Sequence, residues 1–345
     1  MILDFEKTKE ERFSMLYHNI PGTDLEVSRI ALGTWAIGGW MWGGTDEKQS
    51  IETVHAALDK GVNLVDTAPV YGFGTSEEIV GKALQEYSSS DKVHLSTKVC
   101  LDWTEDHKVY RNGSRDRIMY EIEQSLKRLR TDSIDIYYVH WPDPTRPITE
   151  TASAMRELLD QGVIKAVGVS NYTPDQMEEF RKECPLHLCQ PPYNIFEQGI
   201  DADIKPYCER NDISLMTYGA LCRGLLTGKM KKDTSFDGDD LRKMDPKFSE
   251  PRFSQYLKAV DKLQKLSESK FDKSILAFAV RWIFEKGVPI SIWGGRKPSQ
   301  MDPIDEIVDW SMDGAVLSEV QSILNECIEA PVGPEFMAPP TGLQK

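Results

Sequence analysis

The chain has 345 residues, 40% of them hydrophobic, with a net charge of −14 and an isoelectric point near 5.0. That acidic balance excludes non-specific binding to nucleic acid or to an anionic membrane surface, while leaving room for a local basic pocket that takes a phosphate. The start is charged rather than apolar, no run reaches the ~18 apolar residues of a membrane span, and six cysteines without a C-x-x-C pair fit neither zinc nor a disulfide framework, so a reduced cytoplasmic protein is expected.

Residues 1–13 read as a polar lead-in with a short helix at 6–12. A hairpin follows, with Pro21-Gly22 as its turn and strands around residues 15–17 and 25–27. Residues 30–32 form a short apolar strand that ends in Gly33-Thr34-Trp35. A repeating rhythm then begins. Asp46 opens a helix carrying Ile51, Val54, Ala57 and Leu58 on one face, and Lys60-Gly61 stops it. Residues 62–65 are a strand, and Thr75-x-x-Glu78 reads as a capping box for the helix after it. Strands at 93–97, 134–139, 163–169, 186–190, 213–217 and 288–293 alternate with helices at 118–129, 150–159, 174–182, 202–210 and 274–284.

Eight strand–helix units make either an open doubly wound sheet or a closed barrel. A dinucleotide-binding open sheet carries G-x-G-x-x-G after its first strand, and the turn here, Gly33-Thr-Trp-Ala-Ile-Gly-Gly39, has the wrong spacing. We therefore expect an α/β fold of the (β/α)8 TIM-barrel type, a single domain from residue 14 to 345. Its N-terminal hairpin and its extra loops at 100–114, 225–253 and 332–345 lie off the repeat, and those loops are candidates to enclose a substrate.

The chemistry sits where apolar strands stop. Asp66 ends one strand, Lys98 the next, His140 the one after, and Tyr71 follows Asp66 by five residues. Singly, each has an ordinary structural use as a turn cap or a satisfied strand end. Together, an acid, an amine, an imidazole and a phenol supply what proton-coupled hydride transfer to a carbonyl requires. A phenol with its usual pKa near 10 is a weak acid at neutral pH, and a cation within ~4–6 Å would favour its ionised form. Lys98 is the candidate cation, and Asp66 on the neighbouring strand is its candidate partner. Walker, zincin and nucleophile-elbow motifs are absent from the sequence. Trp35, Trp103 and Trp141 lie near strand ends and are candidates to wall an apolar pocket.

With Asp66-Thr-Ala-x-x-Tyr71-Gly, Ser125-Leu-Lys-Arg-Leu129, Gly168-Val-Ser-Asn-Tyr172 and Tyr218-Gly-Ala-Leu-Cys-Arg-Gly-Leu-Leu-Thr-Gly-Lys229, the chain resembles the aldo-keto reductases. His140-Trp-Pro-Asp143 and Pro331-Val-Gly-Pro-Glu-Phe-Met-Ala-Pro-Pro340 are closer to the bacterial general-stress, NADPH-dependent branch. The resemblance implies an Asp66, Tyr71, Lys98, His140 tetrad, with NADPH/NADP+ as cofactor and small aldehydes or ketones as substrates. It implies Thr34, Trp35, Ser170, Asn171 and Gln190 near the nicotinamide, with Tyr218 stacked on its ring. Gly219, Leu221, Arg223 and Gly224 would fold over the pyrophosphate, though this stretch departs from the commoner Ser-Pro-Leu-Gly wording. Gly294, Arg296 and Gln300 would open a helix at the adenosine end, with Arg296 on the 2′-phosphate. No metal is implied, and a monomer suffices.

Two other readings stay open at this point. Lys98 at a barrel strand end would also suit a Schiff-base lyase. A non-catalytic, cofactor-sensing regulatory subunit would share the same cofactor segments.

Overall fold

A computed structural model of the chain describes residues 15–342; the lead-in over 1–13 and the helix expected at 6–12 lie outside the described residues. An antiparallel hairpin of β1 (Tyr17–Asn19) and β2 (Glu26–Ser28) comes first, with Tyr17 opposite Ser28. β3 (Ile30–Gly33) leads into a short helix α1 (Trp35–Gly38) and then α2 (Glu47–Asp59). β4 (Leu64–Asp66), α3 (Thr75–Glu86) and β5 (His94–Val99) follow. A second antiparallel hairpin, β6 (Leu101–Trp103) and β7 (Val109–Arg111), is inserted before α4 (Arg115–Leu129).

The repeat resumes with β8 (Ile134–Val139), α5 (Ile148–Asp160), β9 (Ile164–Ser170), α6 (Pro174–Arg181), β10 (Leu188–Gln190), α7 (Ile204–Arg210) and β11 (Ser214–Thr217). A long helix α8 (Arg252–Phe271) and then α9 (Ile275–Glu285) precede β12 (Ile290–Gly294), and α10 (Gly314–Cys327) comes last. The strands β3, β4, β5, β8, β9, β10, β11 and β12 pair in parallel and close on themselves, with Gly294 of β12 opposite Gly33 of β3. This is the (β/α)8 barrel expected from the strand–helix rhythm.

Strand alternation sorts the side chains into two layers. Ala31, Leu64, Ile136, Tyr138, Ala166, Leu188, Met216, Ile290 and Ile292 fill the barrel, and Ile20, Leu25 and Val27 of the hairpin join them. The Tyr138 ring fills so much of this interior that a Cβ on Gly168 of the next strand would stand 2.2 Å from it. The alternate positions, such as Val65, Tyr137, Val167 and Cys189, pack outward against the helices.

Several details differ from the sequence reading, the short helix α1 and the β6–β7 hairpin among them. α8 and α10 were not expected, although Phe253, Tyr256, Val260, Leu263 and Leu266 bury one face of the first. Val316, Val320, Leu324 and Cys327 do the same for the second. The capping box at Thr75 does not form. Gly74 takes the N-cap position at φ 103°, and the Thr75 hydroxyl donates back to the Gly72 carbonyl at 2.7 Å. The stretch after Gly294 opens into turns of 3-10 helix, Pro298–Gln300 and Asp302–Ile307, rather than an α-helix.

Candidate active site

The inward phase of each strand continues past the core to its C-terminal end. Asp66 lies two residues beyond Leu64, His140 two beyond Tyr138, Gln190 two beyond Leu188, and Tyr218 two beyond Met216. Lys98, Ser170 and Gly294 keep the same phase on β5, β9 and β12. One opening therefore collects side chains from six of the eight strands, with the bare backbone of Gly294 from a seventh.

Lys98 is fully buried and spends its ammonium on two acceptors. It donates to Asp66 Oδ2 at 2.6 Å and to the Thr67 carbonyl at 2.8 Å. The other Asp66 oxygen, Oδ1, accepts from Ser96 Oγ at 2.8 Å and from Gln190 Nε2 at 3.1 Å. The carboxylate is thus held from two other strands, β5 and β10. Lys98 Nζ stands 5.0 Å from the centre of the Tyr71 ring, and that ring meets His140 edge-on with centroids 5.8 Å apart. Trp35 stacks on Tyr71, with ring centroids 5.8 Å apart and 16° from parallel.

Two glycines hold Tyr71 in place. A Cβ on Gly38 would lie 2.5 Å from the Tyr71 carbonyl oxygen, and one on Gly72 would lie 2.1 Å from the Gly38 carbonyl oxygen. The short helix α1 and the Tyr71 loop thus touch backbone to backbone, as only glycine permits.

Electrostatics departs from the sequence expectation at Tyr71. Burial, then the Asp66 and Tyr218 groups, push its phenol well above its ordinary value, where a neighbouring cation had been expected to lower it. Burial dominates, and the charge of Lys98, already matched by Asp66 at 2.6 Å, does not offset it. Burial pushes the Lys98 ammonium down, with Asp66 opposing. Burial and the Lys98 charge push His140 well below the ordinary histidine value, so the imidazole stays neutral.

The residues assigned to the nicotinamide end form one hydrogen-bonded row. Ser170 Oγ donates to the Gln190 carbonyl at 2.7 Å, and Asn171 Nδ2 donates to Ser170 Oγ and to the His140 carbonyl, both at 3.0 Å. The Tyr218 hydroxyl donates to Asn171 Oδ1 at 2.9 Å. Asn171 takes φ 61°, a left-handed conformation that asparagine tolerates. Thr34 also belongs to this end of the barrel, but its hydroxyl is committed to the Asp66 carbonyl at 2.9 Å.

The phosphate-side residues divide. Gly219, Leu221 and Gly224 follow β11 directly, and at Gly219 the nearest atom to an added Cβ is 4.0 Å away. Arg223, expected to offer free charge, is instead buried: its Nε lies 2.7 Å from Asp245 Oδ2 and its Nη2 donates to Glu197. Gly294 has nothing within 4 Å of an added Cβ, leaving an open cradle beside Arg296. Gln300 Oε1 accepts from the backbone N–H of Arg296 at 2.9 Å and of Lys297 at 3.0 Å, and the Arg296 side chain donates to the Trp42 carbonyl. The open glycine turns, the aromatic Tyr218 and the Arg296 guanidinium fit an elongated anionic cofactor. Glu197, Asp245 and Lys247, which surround Arg223, escaped the sequence reading altogether.

Aromatic side chains wall the same opening. Trp40, Phe73, Trp103 and Trp141 pack with Tyr71 around Ala68, Val70 and Leu101.

Residues 29–325 match the model of the Aldo/keto reductase family. The chain belongs to the aldo/keto reductase family. It is 55% identical over 328 residues to "Aldo-keto reductase YhdN" of Bacillus subtilis (strain 168), covering 95% of this chain and 99% of that one. It is 34% identical to an "NADH-specific methylglyoxal reductase" of Escherichia coli (strain K12), covering 79% of this chain and 87% of the other. Among solved structures, a glycerol dehydrogenase from Gluconobacter oxydans superposes with a TM-score of 0.85 at 49% identity, covering 93% of this chain and 99% of that one. As an aldo/keto reductase the chain is an oxidoreductase of a family that uses nicotinamide cofactors on small carbonyl substrates. No helix among the described residues is long and apolar enough to cross a membrane.

Proposed function

We propose that this aldo/keto reductase reduces aldehydes and some ketones to alcohols with NADPH, using Tyr71 as the proton donor. We further propose that it does so in the cytoplasm as a monomeric, single-domain barrel. The observation that carries the reading is the meeting of Tyr71 with His140 and with a Lys98–Asp66 pair at one end of a closed barrel.

When bound, the cofactor supplies hydride from its nicotinamide ring. The protein's part is proton control and orientation. Tyr71, pushed upward by burial, remains a phenol at neutral pH and carries the proton that a reduced carbonyl oxygen needs. As that proton leaves, the forming phenolate faces the ammonium 5.0 Å from its ring, an interaction that strengthens only as charge develops. His140, held neutral, is free to hydrogen-bond the carbonyl oxygen and fix its direction. Tyr218 offers a flat face for the nicotinamide, and Ser170, Asn171 and Gln190 offer amide and hydroxyl groups beside it. The preference for NADPH rests on Arg296, a guanidinium suited to a 2′-phosphate next to an open glycine turn.

The test is NADPH oxidation over a panel of aldehydes with Tyr71→Phe as control. Turnover should fall by about 10²–10⁴-fold while NADPH binding persists. Unchanged turnover would remove Tyr71 from the role.

A further inference from the structure

Four charged side chains lie buried beyond the C-terminal end of β11, apart from the tetrad: Glu197 (4% exposed), Arg223 (8%), Asp245 (1%) and Lys247 (0%). Lys247 Nζ lies 2.7 Å from Glu197 Oε1 and 3.6 Å from Asp245 Oδ1, and Arg223 bridges the same two carboxylates. Two cations match two anions. Burial alone would raise the Glu197 carboxyl, yet Arg223 and Lys247 hold it below its ordinary value. Buried ion pairs add little net stability over packed apolar side chains, so a cluster this complete invites a positional explanation.

Its connections supply one. Asn194 Nδ2 donates to Glu197 Oε2 at 2.7 Å and to the Gly219 carbonyl at 3.0 Å, directly after Tyr218. The cluster is thereby tied to the aromatic shelf. On its other side Lys247 Nζ donates to the Gly333 carbonyl at 3.1 Å, and the Arg223 guanidinium lies 5.5 Å over the Phe336 ring. The C-terminal segment then runs to the far side of the opening. There Arg111 receives it, donating its backbone N–H to the Pro340 carbonyl at 3.0 Å and Nε to the Pro339 carbonyl at 2.9 Å. The same guanidinium lies 5.0 Å over Trp141, the neighbour of His140. Residues 333–340 are thus pinned at the Tyr218 side by the charge cluster and at the His140 side by Arg111.

We propose that Glu197 and Lys247 are positioning residues that register this segment to the Tyr218 shelf, so that it crosses the opening at a fixed height and selects the aldehyde without either residue touching it. The inference rests on the reductase reading for its substrate, although the tether itself does not.

Lys247→Met removes the cation and the bond to Gly333 while leaving Glu197 with Arg223 and Asn194. KM for a bulky aldehyde such as benzaldehyde should rise about tenfold with kcat and the NADPH Kd each within about twofold, the pattern of lost substrate binding rather than lost chemistry. Limited proteolysis should cut within residues 330–342 faster than in the wild type. Phe336→Ala, which disturbs no buried charge, should move KM and proteolysis in the same direction and carries the test if Lys247→Met does not fold. Unchanged KM and unchanged proteolysis in the folded variants would overturn the inference. So would kcat and NADPH affinity falling together with thermal stability. If the wild type reduces no aldehyde, the reductase reading fails separately, and proteolysis alone decides the tether: faster cleavage supports it and equal cleavage overturns it.

Discussion

The Lys98–Asp66 pair should behave as one unit in a double-mutant cycle. At 2.6 Å its gross Coulomb attraction is about 6 kcal/mol for an effective dielectric constant of about 20. Most of that offsets the desolvation of two buried charges. Removing one partner leaves the other stranded: Lys98→Met leaves Asp66 with only Ser96 and Gln190, and Asp66→Asn leaves a fully buried ammonium with the Thr67 carbonyl. Each single variant should lose about 3–5 kcal/mol of unfolding free energy. The double variant strands neither charge, so its loss should fall short of the sum by about 2–3 kcal/mol. Urea unfolding followed by the fluorescence of the eight tryptophans measures all four proteins, with the slope checked for constancy. A coupling energy within about 0.5 kcal/mol of zero would show that the two groups do not depend on each other, and the argument from their contact would be wrong.

Gly72→Ala should lower turnover with little change in cofactor affinity. Its Cβ would stand 2.1 Å from the Gly38 carbonyl oxygen at φ 69°, and an ångström-scale shift of the adjacent Tyr71 costs about 10²-fold in steady-state kcat. His140, neutral when folded and titrating near its usual value when unfolded, makes the unfolded chain bind the extra proton, so its contribution is lost as pH falls below about 6.5. Denaturant titrations should show the wild type losing about 1 kcal/mol more than His140→Gln between about pH 6 and pH 5, and equal losses would contradict a depressed His140. Arg296→Ala should raise the NADPH Kd by about 10- to 100-fold and leave the NADH Kd within about twofold, read by tryptophan quenching; parallel losses would place Arg296 away from the 2′-phosphate.

The barrel and the meeting of Asp66, Tyr71, Lys98 and His140 at its mouth were legible because both are set by short-range pattern. A period of two along each strand carries Leu64 to Asp66 and Tyr138 to His140 on the same inner face, so strand ends alone nominate the chemistry. α8 and α10 were equally legible, since their apolar residues recur at helical spacing, but α8 follows a long polar stretch that obscured its start. Other features had no local signal. Arg223 reads as an exposed loop arginine because its partners, Glu197 and Asp245, sit in two other irregular segments brought together only by the closed barrel. The Thr75 box failed for a backbone reason, the left-handed Gly74, which leaves the threonine inside the helix.

The same geometry weighs on the choice between Lys98 as a tuning charge and Lys98 as a nucleophile. Attack on a carbonyl requires a neutral amine with its lone pair turned toward substrate. Burial lowers the Lys98 ammonium in that direction, but its nitrogen is fully enclosed and donates to both Asp66 and the Thr67 carbonyl. To act as a nucleophile it would have to leave a buried carboxylate behind. Tyr71 faces no such cost. Its ring lies at the aromatic-walled opening, within reach of the ammonium's field and beside a neutral His140. Proton transfer at Tyr71, as proposed, would use Lys98 where it already is, whereas Schiff-base chemistry would require the Lys98–Asp66 pair to come apart.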